Sequence, residues 1–397
     1  MDKFFLILYL SICNVVWFYN YTLGNIKIVL VFLLILFNIK NFFNPRNYIY
    51  FPLFVCLIVS VLISLYFHGP ARDSLFIIYG FVENYIFLVL GYSYAQKELI
   101  DSKFAKNITT IIIFLSLIII CNFFTGNPSW YSPEAILHYD ELLSLGISSE
   151  TIAPLYSTGF GIARTGWANS LCQFVPLVLM WSSFNLIGKT KKAISLIILV
   201  FCIFISQSRG GMLSATIMLS IYFYHLTYGK IKRGIVIAIT LLIIIVVSYY
   251  WDSISILLRM ADTDDYTTGR YEQYLYIPYL LQRMDWAGLG FGNISVIFDY
   301  LGLESTLHNT YIRLCLELGY CFTVVFICYV FIVLKNVYRS FRQGILNSKI
   351  ASLIIIGGLV SGLLEPQAVW GTVSWYSIWW FFLGYIVFNN KSQHIIS

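Results

Sequence analysis

Four short segments carry side chains suited to a charged substrate. In HNTYIRLCLELG (308–319), His308 and Asn309 stand together, and Arg313 and Glu317 follow four residues apart. On a helix that spacing puts the last two on one face, where they can pair. Arg209 lies in SRGG (208–211), Arg270 follows Gly269, and Arg164 lies in RTGWAN with Trp167 and Asn169 beside it. Guanidinium offers a planar fork that binds phosphate or carboxylate bidentately. A helix start adds free N–H groups and the positive end of the dipole, and adjacent glycine lets an anion come close. Neutral imidazole can accept a proton near neutral pH. The set predicts a pocket that grips a phosphate-bearing group next to a titratable one. Plainer readings stand beside each member. SRGG can be a turn capped by Ser208, Trp167 an interfacial anchor rather than a sugar platform, and His308 an interfacial histidine held by water or backbone.

What must position these residues is membrane-spanning helix. The chain has 397 residues, 59% hydrophobic and 11% charged, with mean hydropathy +0.78. Soluble domains carry about 25% charged residues. That gap excludes a soluble enzyme, a disordered chain and a nucleic-acid module. Apolar runs near 4–18, 26–39, 49–67, 75–95, 108–124, 168–187, 193–206, 211–228, 234–251, 310–334, 350–365 and 373–389 predict about twelve transmembrane helices. Several of these runs are short for a full crossing. The start MDKFFLILYLSICNVVWF has no small-residue cleavage site and reads as the first span rather than a signal peptide. The eight cysteines lie mostly within apolar runs and read as packing residues.

Loops then alternate sides. Seventeen of the 25 basic residues, mostly lysine, fall on the side that also holds both termini, which the positive-inside rule makes cytoplasmic. The other side holds Lys27, Arg72, Arg164, Arg209, Arg259, Arg270, Arg283 and Arg313. Seven of these eight are arginine, against the topological bias, which points to an anionic ligand outside the cytoplasm; local pairing with loop acids is the alternative. Two loops on that side are long, 125–168 and 252–309, within one membrane domain spanning 1–397. Long ordered loops are usually functional. In the second, Arg270 to Met284 has helical apolar spacing suited to the membrane surface, and GLGFGN (288–293) reads as a turn that doubles the chain back. Asp262, Asp264 and Asp265 could hold a divalent ion, but such a run is more often solvated, and no metal site is expected. Glu83, inside the fourth run, is either functional or a helix–helix contact.

At SRGG, at GR (269–270) followed by WAGLGFGN (286–293), and at HNTYIRLCLELG, the sequence resembles the O-antigen polymerase and O-antigen ligase superfamily of bacterial inner membranes. The motifs occur in the family's order, and the resemblance covers residues 155–320. It implies an all-α polytopic GT-C-type fold with a large late periplasmic loop containing short helices. It also implies a metal-independent, cofactor-free glycosyltransferase using an undecaprenyl-diphosphate-linked oligosaccharide, for which a single displacement with inversion is the expected course. Carried over by motif, Arg209 and Arg270 would hold the diphosphate and His308 would act near the acceptor hydroxyl. From the residues themselves, Glu317 or the deeper Glu83 would orient or replace His308, Arg164 and Arg313 would add to the diphosphate site, and Asn309, Trp167 and Asn169 would position glycan or acceptor. The RTGW segment is more similar to polymerases than to ligases. The expectation is therefore transfer of a growing glycan to a new lipid-linked repeat unit at the periplasmic face, with a chain-length regulator as a possible partner. Transfer to lipid A–core is the alternative. A lipid-linked sugar flippase, which should carry charges deep in several spans, is more distant.

Overall fold

The computed structural model describes residues 2–13, 21–42, 50–69, 74–125, 144, 170–183, 189–205, 208–226, 270–303, 307–365 and 376–396. Among these the chain is all-α. The helices are α1 Asp2–Leu8, α2 Tyr21–Phe42, α3 Phe51–His68, α4 Ser74–Gln96, α5 Ser102–Thr125, α6 Val175–Ser183, α7 Lys189–Ile205, α8 Arg209–Ile221, α9 Arg270–Arg283, α10 Asn293–Tyr300, α11 Thr310–Gln343, α12 Leu346–Leu364 and α13 Ser377–Ile396. Four of the described helices are long and apolar enough to cross a membrane: Phe51–His68, Ser102–Cys121, Thr310–Arg342 and Leu346–Leu364. The protein is a helical membrane protein. The first apolar run is not one α-helix, because α1 gives way to a π-turn at Tyr9–Cys13. The ninth run and the loop 145–169 lie outside the described residues.

Helix directions follow from paired contacts. Ser64 and Tyr50 of α3 meet Glu317 and Tyr329 of α11, so these two helices are antiparallel. Glu83 and Tyr92 of α4 meet Ser377 and Phe388 of α13, so those two are parallel. α4 and α13 pack along most of their length because glycine removes the side chain at the crossing. A Cβ on Gly91 would lie 1.8 Å from the Phe381 carbonyl oxygen, and one on Gly384 2.1 Å from that of Leu88. Small residues permit such close backbone approach between membrane helices, where packing rather than hydrophobic burial drives association.

The second long loop folds back on the helices. α9 and α10 cover a small core of Leu280, Met284, Ile294, Phe298, Leu307 and Leu316. α9 turns Gln273 and Leu280 inward and leaves Leu275, Tyr276 and Tyr279 exposed, the pattern of an interfacial helix. Arg283 stacks over the Tyr279 ring, 4.5 Å from its centroid, and pairs with no acid among the described residues. Between α9 and α10, residues 285–292 wedge against a kink in α11. Gly319 there has φ 80 and ψ −176. The Leu316 carbonyl accepts from Leu289 N–H at 2.8 Å, and Phe291 N–H donates to Ser64 Oγ at 2.7 Å. Non-helical backbone at this depth is tolerable only when its polar groups are met in this way. A Cβ on Gly319 would stand 2.2 Å from the Trp286 carbonyl oxygen, and one on Gly288 2.2 Å from that of Glu317.

Gly319→Ala is therefore expected to destabilise the protein. Backbone strain at a glycine-only conformation alone costs about 1–3 kcal/mol, and the collision with Trp286 adds to it. Thermal unfolding in detergent checks this. An unchanged midpoint would mean the wedge is not held at Gly319.

Candidate functional site

The start of α11 is fixed by its own sequence. Asn309 is extended and caps the helix, its Oδ1 accepting from Ile312 N–H at 3.0 Å. Its amide nitrogen donates to the Leu363 carbonyl at 3.3 Å. The Asn309 amide is thus engaged at both ends, so it positions His308 by holding the backbone. Thr310 binds the Glu365 carbonyl twice, through N–H at 3.1 Å and Oγ1 at 2.6 Å. The end of α12 is thereby clamped to the start of α11.

α8 joins the same place. Ser208 caps it, accepting from Gly211 N–H at 3.2 Å, so the capped-turn reading holds locally. Ser214 Oγ lies 2.8 Å from Ser361 Oγ, and Met218 fills the space over Gly357. Contacts that advance on one helix and retreat on the other make α8 and α12 antiparallel. Continued one turn outward, that register sets Gly210 level with Glu365. At a rise of about 1.5 Å per residue, Arg209 begins its helix within about one turn of the Thr310–Glu365 clamp.

α9 reaches it from the loop. Tyr274 Oη donates to the His308 carbonyl at 3.2 Å, and Arg270 is one turn before Tyr274 on the same helix. The helix starts at Arg209 and Arg270 therefore lie at the same end of the bundle as His308 and Asn309. The side chains of these two arginines lie outside the described residues, as do Arg164, Trp167 and Asn169 entirely. The chain resumes at Ser170. Two residues on, Cys172 lies within hydrogen-bonding reach of Ser361 and close to Glu365, so the segment after RTGWAN also ends here.

Arg313 and Glu317 form the pair their spacing predicts, Nε to Oε2 at 3.9 Å. That separation is an ion contact, too long for a hydrogen bond. Glu317 is 4% exposed and also accepts from Gly292 N–H, so it anchors the 285–292 wedge. Glu317 lies seven residues into α11 from Thr310, about 10 Å along the axis. The structure does not set it beside His308. Arg313, one turn in from Asn309, has no hydrogen bond at Nε among the described residues.

One residue here escaped the sequence reading. Glu365 closes α12, is 9% exposed, and sits among Thr310, Ser361, Cys172 and Tyr376. The signal was available: a carboxylate ending an apolar run just before proline, in GLLEPQ, meets the criterion that singled out Glu83.

Glu83 itself is explained by packing. It pairs with Lys27 of α2 at 3.0 Å and accepts from Ser377 Oγ of α13 at 3.2 Å. Lys27 also faces the rings of Tyr9 and Tyr79, at 5.9 and 5.8 Å. Lys27 thus leaves the set of outer cations open to a ligand. Among the described residues no cluster of His, Cys, Asp and Glu suits a metal ion. No protein-family model matches the sequence, and no curated protein matches it significantly.

Proposed function

We propose that this protein is a lipid-linked glycan polymerase of the O-antigen type, a twelve-span inner-membrane enzyme acting at the periplasmic face. The observation carrying this reading is that three helix starts come to one end of the bundle: α11 is clamped at Thr310 to Glu365, α8 is tied to the end of α12 through Ser214 and Ser361, and Tyr274, one turn into α9, reaches the His308 carbonyl. Three N-terminal ends presented to one rim favour an anion, and arginine opens two of them. An undecaprenyl-diphosphate leaving group is such an anion.

The chemistry is a single displacement. The acceptor hydroxyl oxygen attacks the anomeric carbon, and the bond from that carbon to the diphosphate oxygen breaks with inversion. The hydroxyl proton passes to His308. Charge grows on the departing diphosphate, where Arg209 and Arg270 are worth most. Arg313, loosely held by Glu317, supplies further donors from α11. Glu317 is assigned to holding the wedge, and Glu365, buried beside Thr310, to fixing the geometry of the rim. Arg164, Trp167 and Asn169 keep the roles that their residue types and spacing suggest. The flippase reading loses its main support, because Glu83, the deep charge, is already paired.

Polymerase and ligase share the donor site, so the product separates them. Deleting the gene in its host is expected to leave lipid A–core bearing a single repeat unit, seen on a gel of the lipopolysaccharide. Bare lipid A–core with polymer stalled on the carrier would instead mark the ligase. An unchanged ladder would remove both.

A further inference from the structure

At the far end of the bundle from His308, α1 and α5 enclose an open cleft of about 530 Å³. Lys3, Phe4 and Ile7 line it from α1, and Lys103, Lys106 and Thr110 from α5. Its wall is almost wholly carbon despite three lysines. They give it their methylene stems and hold their ammonium groups at the rim, as lysine does beside apolar surface. The cleft is built, because Lys3 Nζ reaches both oxygens of Asp101 at 3.0 Å and Asp101 caps α5 through Phe104 N–H at 2.8 Å.

Among the described side chains at the cleft the charges do not cancel. Lys3 is spent on Asp101, and the neighbouring Lys97 and Glu98 offset each other. That leaves Lys103 and Lys106, three apart on one exposed face of α5, with no acid within salt-bridge distance of either among the described residues. Like charges at that spacing repel, and a phosphate between them relieves the repulsion. Further along α5 the exposed face becomes Phe114 and Leu117. A charged rim therefore runs into a carbon-walled groove and then into lipid-facing surface.

We infer that this cleft binds an anionic glycerophospholipid, its phosphate between Lys103 and Lys106 and one acyl chain along Phe4, Ile7 and the outer face of α5. On the positive-inside reading the lipid belongs to the cytoplasmic leaflet. A free phosphate has no use for so large a carbon wall, and an uncharged lipid has none for the two ammonium groups. The inference is independent of the proposed polymerase activity.

Native mass spectrometry of the full-length protein in detergent tests it, with phosphatidylglycerol and phosphatidylcholine of identical chains offered in equal amount. Each lysine at an anionic lipid headgroup contributes roughly fivefold. Phosphatidylglycerol adducts should therefore survive collisional activation in preference, by roughly tenfold or more. The Lys103→Gln/Lys106→Gln variant should lose the preference while eluting as the same monodisperse species, and Lys103→Arg/Lys106→Arg should keep it. Equal retention of the two lipids, a preference untouched in the glutamine variant, or glycerol 1-phosphate displacing the lipid at comparable concentration would each overturn the assignment.

Discussion

Replacing Arg270 or His308 with alanine is expected to abolish glycan elongation while the protein still accumulates in the membrane. Removing a donor that meets charge developing in the transition state costs about 10²–10³ in rate. Removing a positioned general base costs about 10²–10⁴. Either loss would erase the long bands of a polysaccharide ladder. The two variants should also keep the fold. α9 is tied to His308 through a backbone carbonyl, which His308→Ala leaves in place for Tyr274. Arg270 is the first residue of its helix, and alanine is itself a strong helix former. Arg270→Lys is expected to recover only part of the activity, since an ammonium group cannot reproduce a bidentate fork. Long glycan chains in either alanine variant would take that residue out of the site. By contrast Glu317→Gln should lower stability more than turnover per folded molecule, because Glu317 holds the wedge through Gly292 and Arg313.

Much of this arrangement was legible in the residues, and the rest was hidden for identifiable reasons. Local spacing reported local facts. The Arg313–Glu317 pair follows from i,i+4 geometry, and the wedge follows from three glycines in GLGFGN, whose φ angles are 87, 104 and 81. Apolar runs marked the four described helices that are long enough to cross a bilayer, since length and hydropathy decide what can do so. What failed was whatever depends on which helices become neighbours. Lys27 and Glu83 are 56 residues apart, and nothing in either segment says that α2 lies against α4. The Gly319 kink sits inside an otherwise regular apolar run, and only the loop packed against it shows why glycine is needed. The break from α1 into the π-turn at Tyr9 leaves no mark on hydropathy. Asn309 shows the limit from the other side. Its type suggested a ligand contact, while its position at a helix start made it a cap with both amide atoms engaged.

The Lys27–Glu83 pair yields the second large effect, and a double-variant comparison separates its roles. Removing one partner of a buried ion pair leaves an uncompensated charge and costs about 3–5 kcal/mol. Lys27→Met and Glu83→Gln should each lower the thermal midpoint strongly, because Glu83 is 1% exposed and Lys27 is 8% exposed. Replacing both partners with neutral groups of similar shape removes the desolvation cost together with the attraction, and such exchanges are often neutral. The combined Lys27→Met/Glu83→Gln variant should therefore be more stable than either single variant, with the glutamine amide still accepting from Ser377. If Glu83 served as an acid or base, the combined variant would regain its fold and remain inactive. If the pair is a packing device that fixes the start of α13 behind Tyr376 and Glu365, fold and polymer length should return together. A combined variant no more stable than the singles would show that the ion contact between α2 and α4 is not what holds that corner of the bundle.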